Sequence, residues 1–395
     1  MSMITTLIWD SASGTLMLIF AALLFLILLF EPSAKDDKYK FPPGPRPWPF
    51  IGNLNILDMH RPYNTMCKLS EQGLTRATQT FSNGVVFSVG ESWKTMRRFT
   101  LTTLRDVGMG RNTIEDRIVE EVHAHLHPPP LLLPGKPFNP RVNIYSAVSN
   151  IICHLVFGHH FEYDDPVFLQ LQSRVFSENV CVCVFPADQV YNLFPKLGAM
   201  LRNFKRVKKN MAANRYYFSS VCRQHKAELD SNDLRSFLDS FLAQQKEESR
   251  NANTYFDEEN MVVTIANLFA AGTETTSTTL RWGLLFMMKY PHIQVHAEIE
   301  RVICKDRALR FEDPKSMPYT DAVVHEIQCF ANMVPNNLLH QTKEDTTFRG
   351  YHIPKRTPII PLLTSTLCKL NPGHFLDAEG RFVKKDAFLP FSAGE

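Results

Sequence analysis

A helical run over residues 257–290, stopped by Pro291, sets the scale of this chain. At 1.5 Å per residue it is about 50 Å long, so a single element must cross a whole domain and the rest of the fold must be arranged around it. Within the run, Asn267, Ala271 and Thr275 recur every four residues and share one face, with Glu274 beside them. Gly272 costs about 1 kcal/mol against Ala inside a helix, and the threonines that follow are weak helix formers. This pattern has two readings. One is an ordinary helix crossing, in which Ala and Gly permit close packing. The other is a helix that loosens to admit a small molecule next to an acid and a hydroxyl within hydrogen-bond reach. Periodicity alone leaves both open.

Other helical spacings cover residues 92–101, 113–126, 142–156, 234–247, 292–304 and 319–332, and residues 58–73 with a mixed pattern ending at Gly73. Residues 197–229 are expected to form two helices separated by little more than basic residues. Alternating runs at 347–353 and 357–363 predict strands of a small sheet. The expected class is mainly α with a small β part.

Residues 11–30 carry no charge, are rich in Leu, Ile and Phe, and lie between Asp10 and Glu31. Twenty such residues rise about 30 Å as a helix, enough to span the hydrocarbon core of a bilayer. A cleaved signal would have a shorter apolar region behind a positive start, whereas here Lys35, Lys38, Lys40 and Arg46 all follow the span. The expected organisation is a lumenal N-terminus over 1–10, an anchor over 11–30, a linker and proline-rich hinge over 31–49, and a cytosolic domain over 50–395. In that compartment the eight cysteines are thiols. His123, His125 and His127 alternate and could bind a metal if extended, but have no companion carboxylate or thiol. A net charge of +3 without long runs of one sign gives no reason to expect nucleic acid.

The segment Phe269-Ala270-Ala271-Gly272-Thr273-Glu274-Thr275-Thr276 resembles the oxygen-binding helix of the cytochrome P450 family. Pro42-Pro43-Gly44-Pro45 resembles the family's proline hinge, and Trp93-Lys94-Thr95-Met96-Arg97-Arg98 its W-x-x-x-R helix. The likeness continues through residues 319–326 and 388–394, and is closest to the second family of animal microsomal enzymes. It implies the P450 fold behind a membrane helix in the endoplasmic reticulum. It also implies a haem monooxygenase that inserts one oxygen atom from O₂ into a lipophilic substrate, with electrons from NADPH through a reductase; a small cytochrome b and membrane lipid are further implied partners. By the same resemblance Trp93, Arg97 and His340 hold the haem propionates, and Ala271 and Gly272 make room over the iron. Thr275 handles oxygen, Glu274 relays protons, and Asn267, Val334 and Leu338 face substrate.

Three departures from the family pattern carry expectations of their own. The haem loop F-x-x-G-x-R-x-C-x-G is represented by Phe391 and Gly394 as far as Glu395, so the cysteine ligand is expected beyond Glu395 and the chain as written is expected to be inactive. The alternatives are a non-catalytic haem- or lipophile-binding protein of the same fold, or a fragment without function. In Glu326-Ile327-Gln328-Cys329, Cys stands where the family's E-x-x-R has Arg, which predicts an unpaired buried Glu326 or a raised pKa. Segments are expected to be missing after Gly73 and where Cys368-Lys369-Leu370 meets Asn371-Pro372-Gly373.

Overall fold

The computed structural model describes residues 84–86, 88, 90–110, 112–126, 139–184, 202–303, 307–334, 340–359, 370–386 and 388–389, with 19, 20, 23, 40, 42–44 and 56 before them. Two compact units result: Met1–Arg76 with Leu339–Ile360, and Ala77–Leu338 with Pro361–Glu395.

The second unit holds the described α-helices from residue 90 onward. They are α1 (Gly90–Asp106), α2 (Asn112–Leu126), α3 (Arg141–Phe157), α4 (Pro166–Val184), α5 (Arg202–Glu228), α6 (Phe237–Glu247), α7 (Glu258–Lys289), α8 (His296–Ile303) and α9 (Pro318–Ala331). α7, at 32 residues, is the expected long helix. Asp257 caps it, accepting the Asn260 N–H at 2.7 Å, and Pro291 stands just past its end. It runs through Gly272 without interruption, so the expected loosening is not seen in the backbone. Arg202–Glu228 is one continuous helix where two were expected over 197–229, because no Pro or Gly interrupts its basic stretch. α4 was not anticipated: eleven of its 19 residues are apolar by composition and crowd the helical period.

α7 packs most extensively on α3, and also on α5, α4 and α6. Their shared core is aromatic: Phe168, Phe218, Phe237, Phe241 and Phe269 are at most 1% exposed. Burying a phenylalanine contributes roughly 1.5–3 kcal/mol, so this cluster fixes the N-terminal half of α7. Beyond it, Phe286 packs with Ile293, Val323 and Ile327, and Leu370 covers their edge. Ala322, Cys329 and Phe375 form a third cluster with Leu376, Phe382 and Phe388.

The first unit contains the strands. β1 (His340–Gln341) pairs antiparallel with β4 (Pro358–Ile359), and β2 (Thr346–Phe348) with β3 (Tyr351–Ile353). The single strand expected over 347–353 is therefore a hairpin. Arg349 and Gly350 both have positive φ, at 50° and 79°, the conformation of a tight primed turn. Lys40 joins this unit, its carbonyl accepting the His352 N–H at 2.7 Å.

Of the expected membrane anchor only Ile19, Phe20 and Leu23 are described, all helical; the rest lies outside the described residues. Among the described residues no helix is long and apolar enough to cross a membrane. Residues 58–73 and Gly394 also lie outside them. Asn112–Leu126 is helical, which breaks the extended alternation that metal binding by His123, His125 and His127 required. No cluster suited to a metal ion exists among the described residues.

Candidate active site

The middle of α7 presents two contrasting faces. Thr273 and Ser277 are buried, while Ala271 and Thr275, four apart, are exposed. One face is thus open among the described residues. The other serves the helix crossing: a Cβ on Gly272 would lie 2.6 Å from Ile152 Cδ1 of α3. Gly272 therefore lets α3 approach, the ordinary-crossing reading, while Ala271 belongs to the open face. Both sequence readings apply, to different residues of one motif.

Hydroxyl groups line this turn. Thr275 Oγ1 donates to the Ala271 carbonyl at 2.7 Å, Thr279 Oγ1 to the Thr275 carbonyl at 2.8 Å, and Ser277 Oγ to the Glu274 carbonyl at 3.2 Å. Such back-bonding holds the hydroxyls against their own helix. Thr278 differs, for its Oγ1 donates to Glu274 Oε1 at 3.2 Å. Glu274 Oε2 is buried and has no hydrogen-bond partner among the described residues.

Asn267 lies one turn before Ala271, on the same side of α7. Its Oδ1 accepts the Val86 N–H at 3.1 Å, so the amide is oriented with oxygen toward the loop. Asn260, two turns earlier, accepts the Gly84 N–H at 3.1 Å. Gly84 has φ +81°, and a Cβ there would lie 2.6 Å from Val263 Cγ1 and 2.7 Å from Asn267 Oδ1. The loop before α1 is thereby held against α7 at a spot only glycine fits. Sequence reasoning missed Asn260, although its seven-residue spacing from Asn267 is two helical turns.

On α1, Trp93 and Arg97 are one turn apart, with the guanidinium 5.3 Å from the indole ring centroid. Arg97 is exposed and forms no ion pair among the described residues. Val334 is 38% exposed just beyond α9, Leu338 lies outside the described residues, and His340 opens β1 in the other unit.

Behind this region, Glu326 on α9 is 1% exposed. The expected unpaired carboxylate is not found. Asn371 N–H donates to Glu326 Oε1 at 2.8 Å, and His374 Nδ1 lies 3.3 Å from both oxygens. The segment beginning at Asn371 supplies what the missing Arg would have supplied, and it comes from 45 residues away in sequence, where no local signal could reveal it. Cys329 is buried, and burial, reinforced by the Glu326 charge, pushes its thiol up to about 11. Burial likewise pushes Cys222 up to about 12, and Cys153 well upward. None of these three is a ready thiolate.

The arrangement suits an iron porphyrin. A guanidinium over an indole, with no ion pair among the described residues, provides donors for propionate oxygens, and the Ala271–Thr275 face provides a surface for a flat ring. An orphaned acid oxygen suits delivery of protons beside it. The comparisons agree. Residues 70–395 match the family model "Cytochrome P450". The chain is 40% identical over 452 positions to cytochrome P450 2K1 of Oncorhynchus mykiss, covering 100% of this chain and 88% of the relative. It is 37% identical to cytochrome P450 2B19 of Mus musculus (94% and 85% covered) and 38% identical to cytochrome P450 2C8 of Homo sapiens (94% and 86%). An alignment of 452 positions against 395 residues places about 57 positions of the trout protein opposite gaps, as shortened internal segments require. An open small-residue face, an acid–alcohol pair, a Trp–Arg stack and these relatives together establish that the chain belongs to the cytochrome P450 family of haem monooxygenases and is similar to its second family.

Proposed function

We propose that the protein oxygenates a lipophilic organic molecule bound against the Ala271–Thr275 face of α7, and that Trp93 and Arg97 hold the haem propionates. The observation that carries this reading is the exposed pair Ala271 and Thr275 beside a buried, partnerless carboxylate oxygen of Glu274. When bound, haem supplies the one-electron and O₂ chemistry. The chain's own residues do the rest. Thr275 presents a hydroxyl whose proton is held by the Ala271 carbonyl, leaving its lone pairs toward the open side. Glu274 takes a proton on Oε2 and hands it on, a general acid with no competing protein partner on that oxygen. Asn267 and Val334 border the substrate.

The uncharged run over residues 11–30 and the likeness to microsomal enzymes support a single-pass anchor in the endoplasmic reticulum, with the domain toward the cytosol. There NADPH delivers electrons through a membrane-bound reductase, and a small cytochrome b serves as a second donor.

Residues 390–395 lie outside the described residues, so the carbon monoxide spectrum of the reduced protein is the deciding measurement. Where the chain continues into the cysteine ligand expected beyond Glu395, a thiolate-type Soret band, with NADPH-dependent product that falls in Glu274→Gln, is the expected result. A histidine-type band, or no haem uptake, would replace oxygenation with ligand binding on the same fold.

A further inference from the structure

Glu274 begins a side chain with three rotatable bonds, and a relay needs one oxygen in a fixed place. The hydroxyls of Thr275, Ser277 and Thr279 are all committed to main-chain carbonyls of α7. Thr278 departs from that pattern. Its Oγ1 bonds Glu274 Oε1 at 3.2 Å, one turn along the helix, and leaves Oε2 buried without a protein partner. A buried acceptor without a partner is costly, which marks Oε2 as an oxygen kept for a proton.

We propose that Thr278 is a positioning residue for the proton relay: by holding Oε1 it fixes the Glu274 carboxylate so that Oε2 is left as the oxygen that exchanges protons. The role rests on the relay assigned to Glu274 above. Thr278 touches neither oxygen nor substrate; it acts only through the carboxylate. In the step itself Oε2 gains one proton and gives one up, so the carboxylate returns to its starting state and no redox partner is consumed.

The test begins without haem chemistry. Infrared carboxylate bands of the full chain that vanish in Glu274→Gln belong to Glu274. They should shift in Thr278→Val, which removes the donor, and return in Thr278→Ser, which restores it. In the haem-loaded protein with its reductase, Thr278→Val should raise hydrogen peroxide released per product on the order of tenfold, the rate effect of one hydrogen bond to a charged group. Thr278→Ser should recover most of the coupling. Bands that stay put in Thr278→Val, or that move equally in both variants, overturn the anchoring. Bands that move while Glu274→Gln leaves the peroxide yield unchanged overturn the relay, and with it the function assigned to Thr278, while the contact stands.

Discussion

Asn260 and Asn267, two turns apart on α7, each accept one backbone N–H from the loop before α1, from Gly84 and Val86 at 3.1 Å. The pair fixes the loop that leads directly into the helix carrying Trp93 and Arg97. It also sets the direction of the Asn267 amide, because a backbone N–H can only face the amide oxygen.

Replacing Asn267 by Leu leaves the Val86 N–H without its acceptor and should cost about 1–2 kcal/mol. Gly84→Ala should cost about 1–3 kcal/mol, since it places a Cβ at positive φ against Val263 and Asn267. Urea denaturation of both variants measures the losses. An Asn267→Leu chain as stable as the parent would show that the tie contributes nothing.

Glu326 is held by Asn371 and His374 where the family has an arginine. Glu326→Ala should therefore destabilise by about 3 kcal/mol, through loss of an almost fully buried acceptor. Glu326→Gln keeps an acceptor for the Asn371 N–H and should cost about 1 kcal/mol. Equal losses from the two, read from denaturation midpoints, would mean that charge and not shape holds this corner.

Gly272→Ala drives a Cβ to 2.6 Å from Ile152 Cδ1. The clash outweighs the helix propensity gained, so a loss of about 1 kcal/mol is expected. Shortening the neighbour in a Gly272→Ala, Ile152→Val double variant should recover it. A calorimetric melt showing no recovery would place the strain elsewhere.

His154 and His159 are both held below the ordinary imidazole range, in each case first by burial; the neighbouring Arg117 adds to it at His154. Their unfolded forms bind protons more readily, so stability should fall as pH drops below about 6.5. Asp239 is lowered in spite of burial, by hydrogen bonds from His225 and Ser236, and its contribution persists until more acid pH. Denaturation midpoints at pH 7.5 and 5.5 should differ less in a His154→Gln, His159→Gln variant than in the parent.

Cys153, Cys222 and Cys329 are buried with thiols raised above the ordinary range. Native alkylation at pH 8, mapped by mass spectrometry, should spare all three, and denaturant should expose them. Rapid native labelling of Cys329 would refute its packing against Ala322 and Phe375.

The sequence by itself determined the mainly helical class, the long helix, and that Ala271, Glu274, Thr275, Trp93 and Arg97 lie on helices, because helical periodicity and a short motif act within a few turns of chain. It misjudged what depends on distant segments. The break expected in Arg202–Glu228 is absent, since its basic stretch holds no Pro or Gly and the helix packs along α4 and α7. The strand read over 347–353 folds back at Arg349 and Gly350. Only the tertiary structure decided that Gly272 receives Ile152, that Asn267 secures a loop 181 residues away, and that His374 and Asn371 satisfy Glu326. The physical reason is common to all three: a residue type fixes which bonds a side chain can make, whereas the partner is chosen by whichever distant segment packing brings within about 3 Å.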